Sequence, residues 1–207
     1  MQKVLVAAAL VASFSAGAFA SVQDNLALGK TTTASSFYDG GSEVFQASNI
    51  VDGITTDAGS AYNWSFWLAA QGQNQGSWVQ VDLGNAYNIN NVTLFDTHNR
   101  GYYDRGTNAF TLSVSTDGLA FHDVASSSFT YDEWTNQTAK SVDVSSAVGR
   151  YVRFNVNSVY GGESAGLAEM KVFGTVAAVP EPETYAMLLA GLGLIGAAVK
   201  RRKTKQA

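Results

Sequence analysis

A chain of 207 residues, 46% hydrophobic and 14% charged, has the length and composition of one globular domain with additional terminal segments. It contains no cysteine, which excludes disulfides, thiol catalysis and cysteine-held metals. Residues 21–179 carry seven Lys and Arg against fifteen Asp and Glu, a net of −8, and so acidic a domain is a poor partner for nucleic acid or anionic lipid.

The chain opens with MQKVLVAAALVASFSAGAFA. Lys3 makes a positive start, Val4 to Phe14 an apolar run, and Ala18-Phe19-Ala20 a small-residue cleavage site. This is the pattern of a secretory signal peptide over residues 1–20, so the exported chain begins near Ser21. Period-two alternation follows. In SWVQVDLG, Val79, Val81 and Leu83 share one face while Gln80 and Asp82 share the other. After NVTLF, the stretch AFTLSVSTDG sets Phe110, Leu112 and Val114 against Thr111, Ser113 and Ser115, and Asp117-Gly118 supplies a hairpin turn. In GRYVRFNV, Val152, Phe154 and Val156 alternate with Arg153 and Asn155, and EMKVFG closes the domain. No long stretch carries a 3.6-residue period. Short strands separated by turn residues predict an all-β, antiparallel sandwich over residues 21–176.

Residues 177–207 form a linker and tail. Pro180 and Pro182 stop any helix from running through, since each lacks an N–H and fixes φ. Tyr185 to Val199 is uncharged, and Lys200, Arg201, Arg202, Lys203 and Lys205 follow. As a helix the uncharged stretch reaches about 22 Å against a bilayer core of about 30 Å. That is a marginal span, which snorkelling lysines and a thinned bilayer extend. The basic end stays cytoplasmic, which leaves the domain outside.

Catalytic motifs fail on context. Gly191 to Gly196 fits GxGxxG but lacks the preceding strand and the acid about 20 residues on. Gly162-Glu163-Ser164-Ala165-Gly166 fits GxSxG, yet both histidines, His98 and His122, lie upstream, whereas the nucleophile elbow has its histidine downstream. Asp132 and Glu133 are adjacent, and in a strand they would face opposite ways. The expectation is a protein that is not an enzyme. Three Asn-x-Ser/Thr sequons stand at Asn63, Asn91 and Asn136.

Two resemblances add to this reading. Pro180-Glu181-Pro182, the apolar stretch and the basic cluster, in that order, resemble the PEP-CTERM sorting signal of Gram-negative bacteria. The resemblance implies recognition and removal of the tail by an exosortase, transient membrane anchoring through residues 185–199, and delivery to the cell surface or extracellular matrix, often alongside biofilm production. NLALGKTTTASS, ASNIVDG, SWVQVDLG, FTLSVSTDGLAF and GRYVRFNV, from Asn25 to Gly174, resemble the discoidin or coagulation-factor type C domain family, which includes many bacterial carbohydrate-binding modules. It implies an eight-stranded jelly-roll-like sandwich, galactose-binding-like, with ligand loops at one end and often a bound calcium.

The loop THNRGYYDRG, residues 97–106, lies between two strands and gathers His98, Asn99, Arg100, Tyr102, Tyr103 and Arg105. A guanidinium offers a rigid fork of donors to vicinal hydroxyls, and an aromatic face covers the C–H patch of a pyranose. By resemblance, Asn99, Arg100 and Arg105 match the ligand loop, and Tyr160 stands where a later loop adds an aromatic. The family also draws a histidine from an earlier loop, and residues 21–97 contain none. Either His98 substitutes for it, or the ligand differs from galactose- and fucose-like sugars. An ion-paired surface loop built on Asp96, Arg100, Asp104 and Arg105 is the plainer alternative. Of Trp64, Phe66 and Trp67, Trp64 is the one expected to be exposed and to reach ligand.

For a structural calcium, the resemblance supplies Asp52 and Glu169, with Ser65 in place of the motif's threonine. Ile54 stands where a second acidic or amide ligand belongs, and Asp57 is the candidate to replace it. The simpler reading has Asp52 capping its own turn. The expected function is a secreted, surface-sorted module that binds an extracellular polysaccharide or matrix glycan. The alternative is an adhesive or structural biofilm-matrix protein with a protein partner.

Overall fold

The structure, a computed structural model, describes residues 24–60, 62–177, 188–192 and 194–195. The expected leader, residues 1–20, and the Pro180-Glu181-Pro182 motif lie outside the described residues. Residues 188–192 and 194–195 are helical. Among the described residues no helix is long and apolar enough to cross a membrane.

In chain order the strands are β1 (Thr31–Ala34), β2 (Tyr38–Asp39), β3 (Val44–Phe45), β4 (Gly59–Ser60), β5 (Asn63–Trp64), β6 (Trp67–Leu68) and β7 (Trp78–Phe95). They continue as β8 (Ala109–Ser115), β9 (His122–Ser128), β10 (Lys140–Val156), β11 (Gly166–Leu167) and β12 (Glu169–Val176), with one helix, α1 (Tyr131–Asn136), before β10. Six of them form the main antiparallel sheet, in the order β1-β7-β10-β8-β9 with β12 also on β7.

β7 and β10 are long enough to serve twice. The first part of β7 pairs with β1 on one edge and with Tyr151–Asn155 of β10 on the other. Its second part pairs with β12 and with the first part of β10. Six continuous strands therefore provide eight pairing segments, which is how the eight-stranded sandwich expected from the sequence is realised. The alternation continues along β7 but changes phase. Val79, Val81, Leu83 and Ile89 are buried at odd positions, and Val92 and Leu94 at even ones. Asn90 is the reason: Phe173 pairs with Asn91 and Gly174 with Ile89, so Asn90 is bulged out and the strand rolls by one residue. Gly174 permits this close approach, because a Cβ there would lie 2.5 Å from the Asn88 carbonyl oxygen.

The core holds Trp67, Phe110, Leu112, Phe154, Val172 and their neighbours. A smaller cluster of Phe45, Phe66, Leu68 and Ala168 lies under the loops that frame the candidate site. The strand expectation for Asp132 and Glu133 is corrected: both lie in the first turn of α1. Thr130 caps that helix by accepting from the Glu133 N–H, while the Glu133 side chain accepts from the Thr130 N–H. The Glu133 carboxylate is a helix cap.

Candidate ligand-binding site

The loop between β7 and β8 is built on buried acids. Asp96 follows β7 directly and is fully buried; its Oδ1 accepts from the N–H groups of Thr97 (2.9 Å) and Thr107 (3.1 Å), closing the base of the loop. Asp57 reaches in from the preceding long loop. Its Oδ2 accepts from the N–H of His98 (3.1 Å) and of Arg100 (2.8 Å), and its Oδ1 accepts from the Gln137 amide at 2.5 Å. Gln137 Oε1 accepts in turn from the Asp57 N–H at 3.2 Å. Burial pushes Asp57 above the ordinary carboxylate range, opposed by the Arg100 N–H and the other bonds it accepts. Burial pushes Asp96 well above that range, with the Asp57 charge adding and the Thr107 and Thr97 N–H groups opposing. The plainer alternative, an ion-paired surface loop, does not describe its base, where Asp96, Thr97, Asn99 and Thr107 are all buried.

This acid-moulded turn forces left-handed backbone on Asn99 (φ 49°), Arg100 (φ 60°) and Tyr103 (φ 54°). Such conformations cost about 1–3 kcal/mol each at non-glycine residues and persist where the surroundings hold them. Asn99 donates to Asp104 Oδ1 at 2.7 Å. His98 Nδ1 accepts from the Gly101 N–H at 2.8 Å. The same atom lies 3.3 Å from Asp57 Oδ2. A nitrogen that accepts from Gly101 carries no proton to share with Asp57, so the 2.8 Å bond describes this contact better than an ion pair does.

The two arginines stand in different surroundings. Arg100 Nη1 donates to Glu43 Oε1 at 2.8 Å, and the guanidinium carbon lies 4.4 Å from the Trp64 ring centre, 5.2 Å from Tyr102 and 5.8 Å from Phe45. It is boxed by aromatic faces and a carboxylate. The Arg105 guanidinium lies 5.0 Å over Tyr38, with Asp104 its nearest carboxylate at 3.9 Å, and among the described residues it makes no hydrogen bond. Tyr102 and Tyr103 stand out into solvent, 68% and 48% exposed. The structure thus gathers His98, Asn99, Arg100, Tyr102, Tyr103 and Arg105 on one loop and joins Trp64 to them through Arg100. Trp64 is the least buried of the three aromatics around it, as expected, with Phe66 and Trp67 wholly inside. Tyr160 is tied back into the fold, its hydroxyl donating to the Phe129 carbonyl. Sequence reasoning missed Glu43, Phe45, Tyr38 and Gln137, which reach the loop from stretches of chain 41 to 67 residues away, where no local pattern reveals them.

At the proposed calcium position, Glu169 is fully buried. Its Oε2 accepts from the Gly53 N–H at 3.3 Å, and its Oε1 is buried with no hydrogen-bond partner among the described residues. Burial pushes its carboxyl up to about 8, with the neighbouring Asp52 charge adding and the Gly53 N–H and Lys171 opposing. Asp52 caps its own turn through the Ile54 N–H at 2.7 Å. Ser65 donates to the Thr56 carbonyl at 2.7 Å and accepts from the Ala58 N–H at 2.9 Å, and Asp57 is engaged with the ligand loop. Among the described residues no group of three or more His, Asp or Glu is placed to hold a metal ion. The fit is partial: an orphaned buried carboxylate oxygen beside a second carboxylate suits calcium, with backbone carbonyls needed for the rest of its shell. Ser164, of the GxSxG motif, is buried and donates to the Ala70 carbonyl at 3.4 Å.

Residues 31–170 match the family model of the F5/8 type C domain, and residues 178–203 that of the PEP-CTERM protein-sorting motif. No curated protein matches the chain. Among solved structures, the chain is similar to chitosan-binding module 1, derived from a chitosanase/glucanase of Paenibacillus sp. IK-5. The identity is 26% and the TM-score 0.56, over 73% of this chain and 99% of the module. The lectin domain of lectinolysin, solved with Lewis B antigen, is 26% identical with a TM-score of 0.54, over 75% of this chain and 98% of that one. CpGH89CBM32-5 from Clostridium perfringens, solved with GalNAc-β-1,3-galactose, shares the fold at 21% identity and a TM-score of 0.58, over 70% of this chain and 96% of that one.

Proposed function

The chain belongs to the F5/8 type C domain family, and from that premise we propose that it is a non-catalytic module that binds an extracellular polysaccharide or matrix glycan through the loop at residues 97–105. Its fold is that of carbohydrate-binding modules, and its PEP-CTERM motif implies secretion and surface sorting. The observation that carries the reading is Arg105, a half-buried guanidinium over Tyr38 whose donors are unclaimed among the described residues, beside two exposed tyrosines. Donors of this kind suit vicinal hydroxyls, and the tyrosine faces suit the apolar side of a sugar ring. Arg100, clamped to Glu43 and Trp64, holds the loop in shape for that contact. Asp52 and Glu169 hold a structural calcium in this proposal; the ion would neutralise the buried carboxylate and brace the turn at Gly53. The tail anchors the exported chain through residues 185–199 until an exosortase removes it.

A glycan array with the mature protein tests the central reading. Saturable binding to isolated sugars is expected. Silence across the array, with capture of a matrix protein in its place, would make the chain an adhesive or structural matrix component.

A further inference from the structure

Where the loop site ends, a second groove begins. Trp64, whose ring carries the Arg100 guanidinium, also lines a hollow of about 210 Å³ together with Gln46, Ser48, Tyr62 and Asn63. Gln46 and Ser48 in turn line a neighbouring hollow of about 320 Å³ that reaches Thr33 of the edge strand β1 and Phe37. Two hollows that share two residues make one trough, leading from the loop toward the rim of the sheet.

Its lining is uncharged. No charged side chain lines either hollow. Gln46, Ser48 and Asn63 are exposed, and their side chains make no hydrogen bond among the described residues. Gln46 occupies the cap position of the short 3-10 turn Ala47–Val51 without using its amide as a cap. Phe37, 45% exposed, gives the larger hollow an apolar side, and Tyr62, 67% exposed, stands beside the smaller, polar one. Tyr62 has φ 67°, a left-handed backbone that a bulky aromatic rarely adopts. Strain of this kind gathers at ligand clamps, and here it holds a ring out in water beside the exposed amides of Gln46 and Asn63.

Neutral amides and hydroxyls beside an apolar patch and an exposed tyrosine suit a ligand with many hydroxyls, apolar ring faces and no charge. We infer that the trough is a second glycan subsite, taking the neutral sugar residues of a chain whose other end lies at the 97–105 loop. The assignment rests on the carbohydrate-binding reading above. A polyanionic or polycationic saccharide finds no counter-charge along it.

Titration calorimetry of the purified protein with galactose, GalNAc-β-1,3-galactose, the Lewis B oligosaccharide and the longest neutral glycan bound on the array tests it. The wild type should bind longer neutral glycans more tightly than single sugars. Tyr62→Gly should weaken the longest by about tenfold, the weight of one aromatic contact, and leave the single sugar unchanged. Because glycine relieves the left-handed strain, its melting temperature should hold or rise, so the loss cannot come from unfolding. Gln46→Ala with Ser48→Ala should also remove the length advantage, while Tyr62→Phe keeps it. Arg105→Ala should weaken every glycan alike. If Tyr62→Gly binds the longest glycan as the wild type does while Arg105→Ala still weakens it, the trough is not a subsite and the loop reading stands. If Tyr62→Gly weakens the single sugar equally, the trough is not separate from the loop site. Absence of binding by the wild type to every glycan overturns both readings.

Discussion

Arg100 and Arg105 are five positions apart, and a guanidinium contributes to affinity only where its donors are free to meet a ligand. For Arg105→Ala the expected loss is about 1.5–3 kcal/mol, roughly 10- to 150-fold in affinity by calorimetry, with little change in melting temperature. Arg105→Lys should rescue poorly, since an ammonium lacks the planar fork. Arg100→Ala should behave differently. It removes a cation held by aromatic faces and Glu43, and folding stability should fall by about 1 kcal/mol in urea titrations. Any loss of binding would then follow from a slackened loop. Equal effects of the two alanine variants on affinity, with neither altering stability, would contradict this division. The sequence showed that the loop is rich in arginine and tyrosine. It could not separate the two arginines, because the difference is made by Glu43 and Trp64 on one side and Tyr38 on the other, all on distant stretches of chain.

The loop as an element is held by two acids that its own pattern does not announce. Asp96 has a raised carboxyl pKa in the fold, against an ordinary value of 3.8 in an open chain. Below that value folded and unfolded chains both hold the proton, and this contribution to stability is complete. As pH rises, the unfolded chain releases the proton and the folded one keeps it, so stability declines until the folded value is passed. Urea denaturation should show the wild type losing stability as pH rises above the ordinary carboxylate value, with this group contributing to the fall. Asp96→Asn, which cannot ionise, should show a shallower decline; an unchanged slope would place the effect elsewhere. The strands were far more legible. Period-two alternation located the buried faces of β7, β8 and β10 correctly, because a strand half-buried against a core leaves that signature. The bulge at Asn90 was hidden, since it depends on where β12 pairs. α1 was hidden too, because six residues are too few to display a helical period.

For the whole molecule, the calcium proposal concerns how far one ion braces the fold. A ligand bound only by the native state adds about 2.7 kcal/mol at a hundredfold excess over its Kd, or roughly 5–10 °C in a domain of this size. EDTA should lower the melting temperature of the purified protein by that order and millimolar calcium restore it, with Glu169→Gln abolishing the response. No response in the wild type removes the site. Export makes its own prediction: the intact mass of the surface form should fit a chain from near Ser21 to close to Pro180. Retention of Lys200 to Lys205 would indicate a permanent anchor.

β12 sets the direction in which the domain faces. Glu169 pairs with Phe95, next to the base of the ligand loop, and Val176 pairs with Tyr87 at the opposite pole. Eight residues of strand, about 25 Å, thus separate the recognition end from the point where the sorting tail departs. If the proposed tether and glycan site both hold, the end of β12 farther from the tail carries the candidate loop, and the near end carries the attachment.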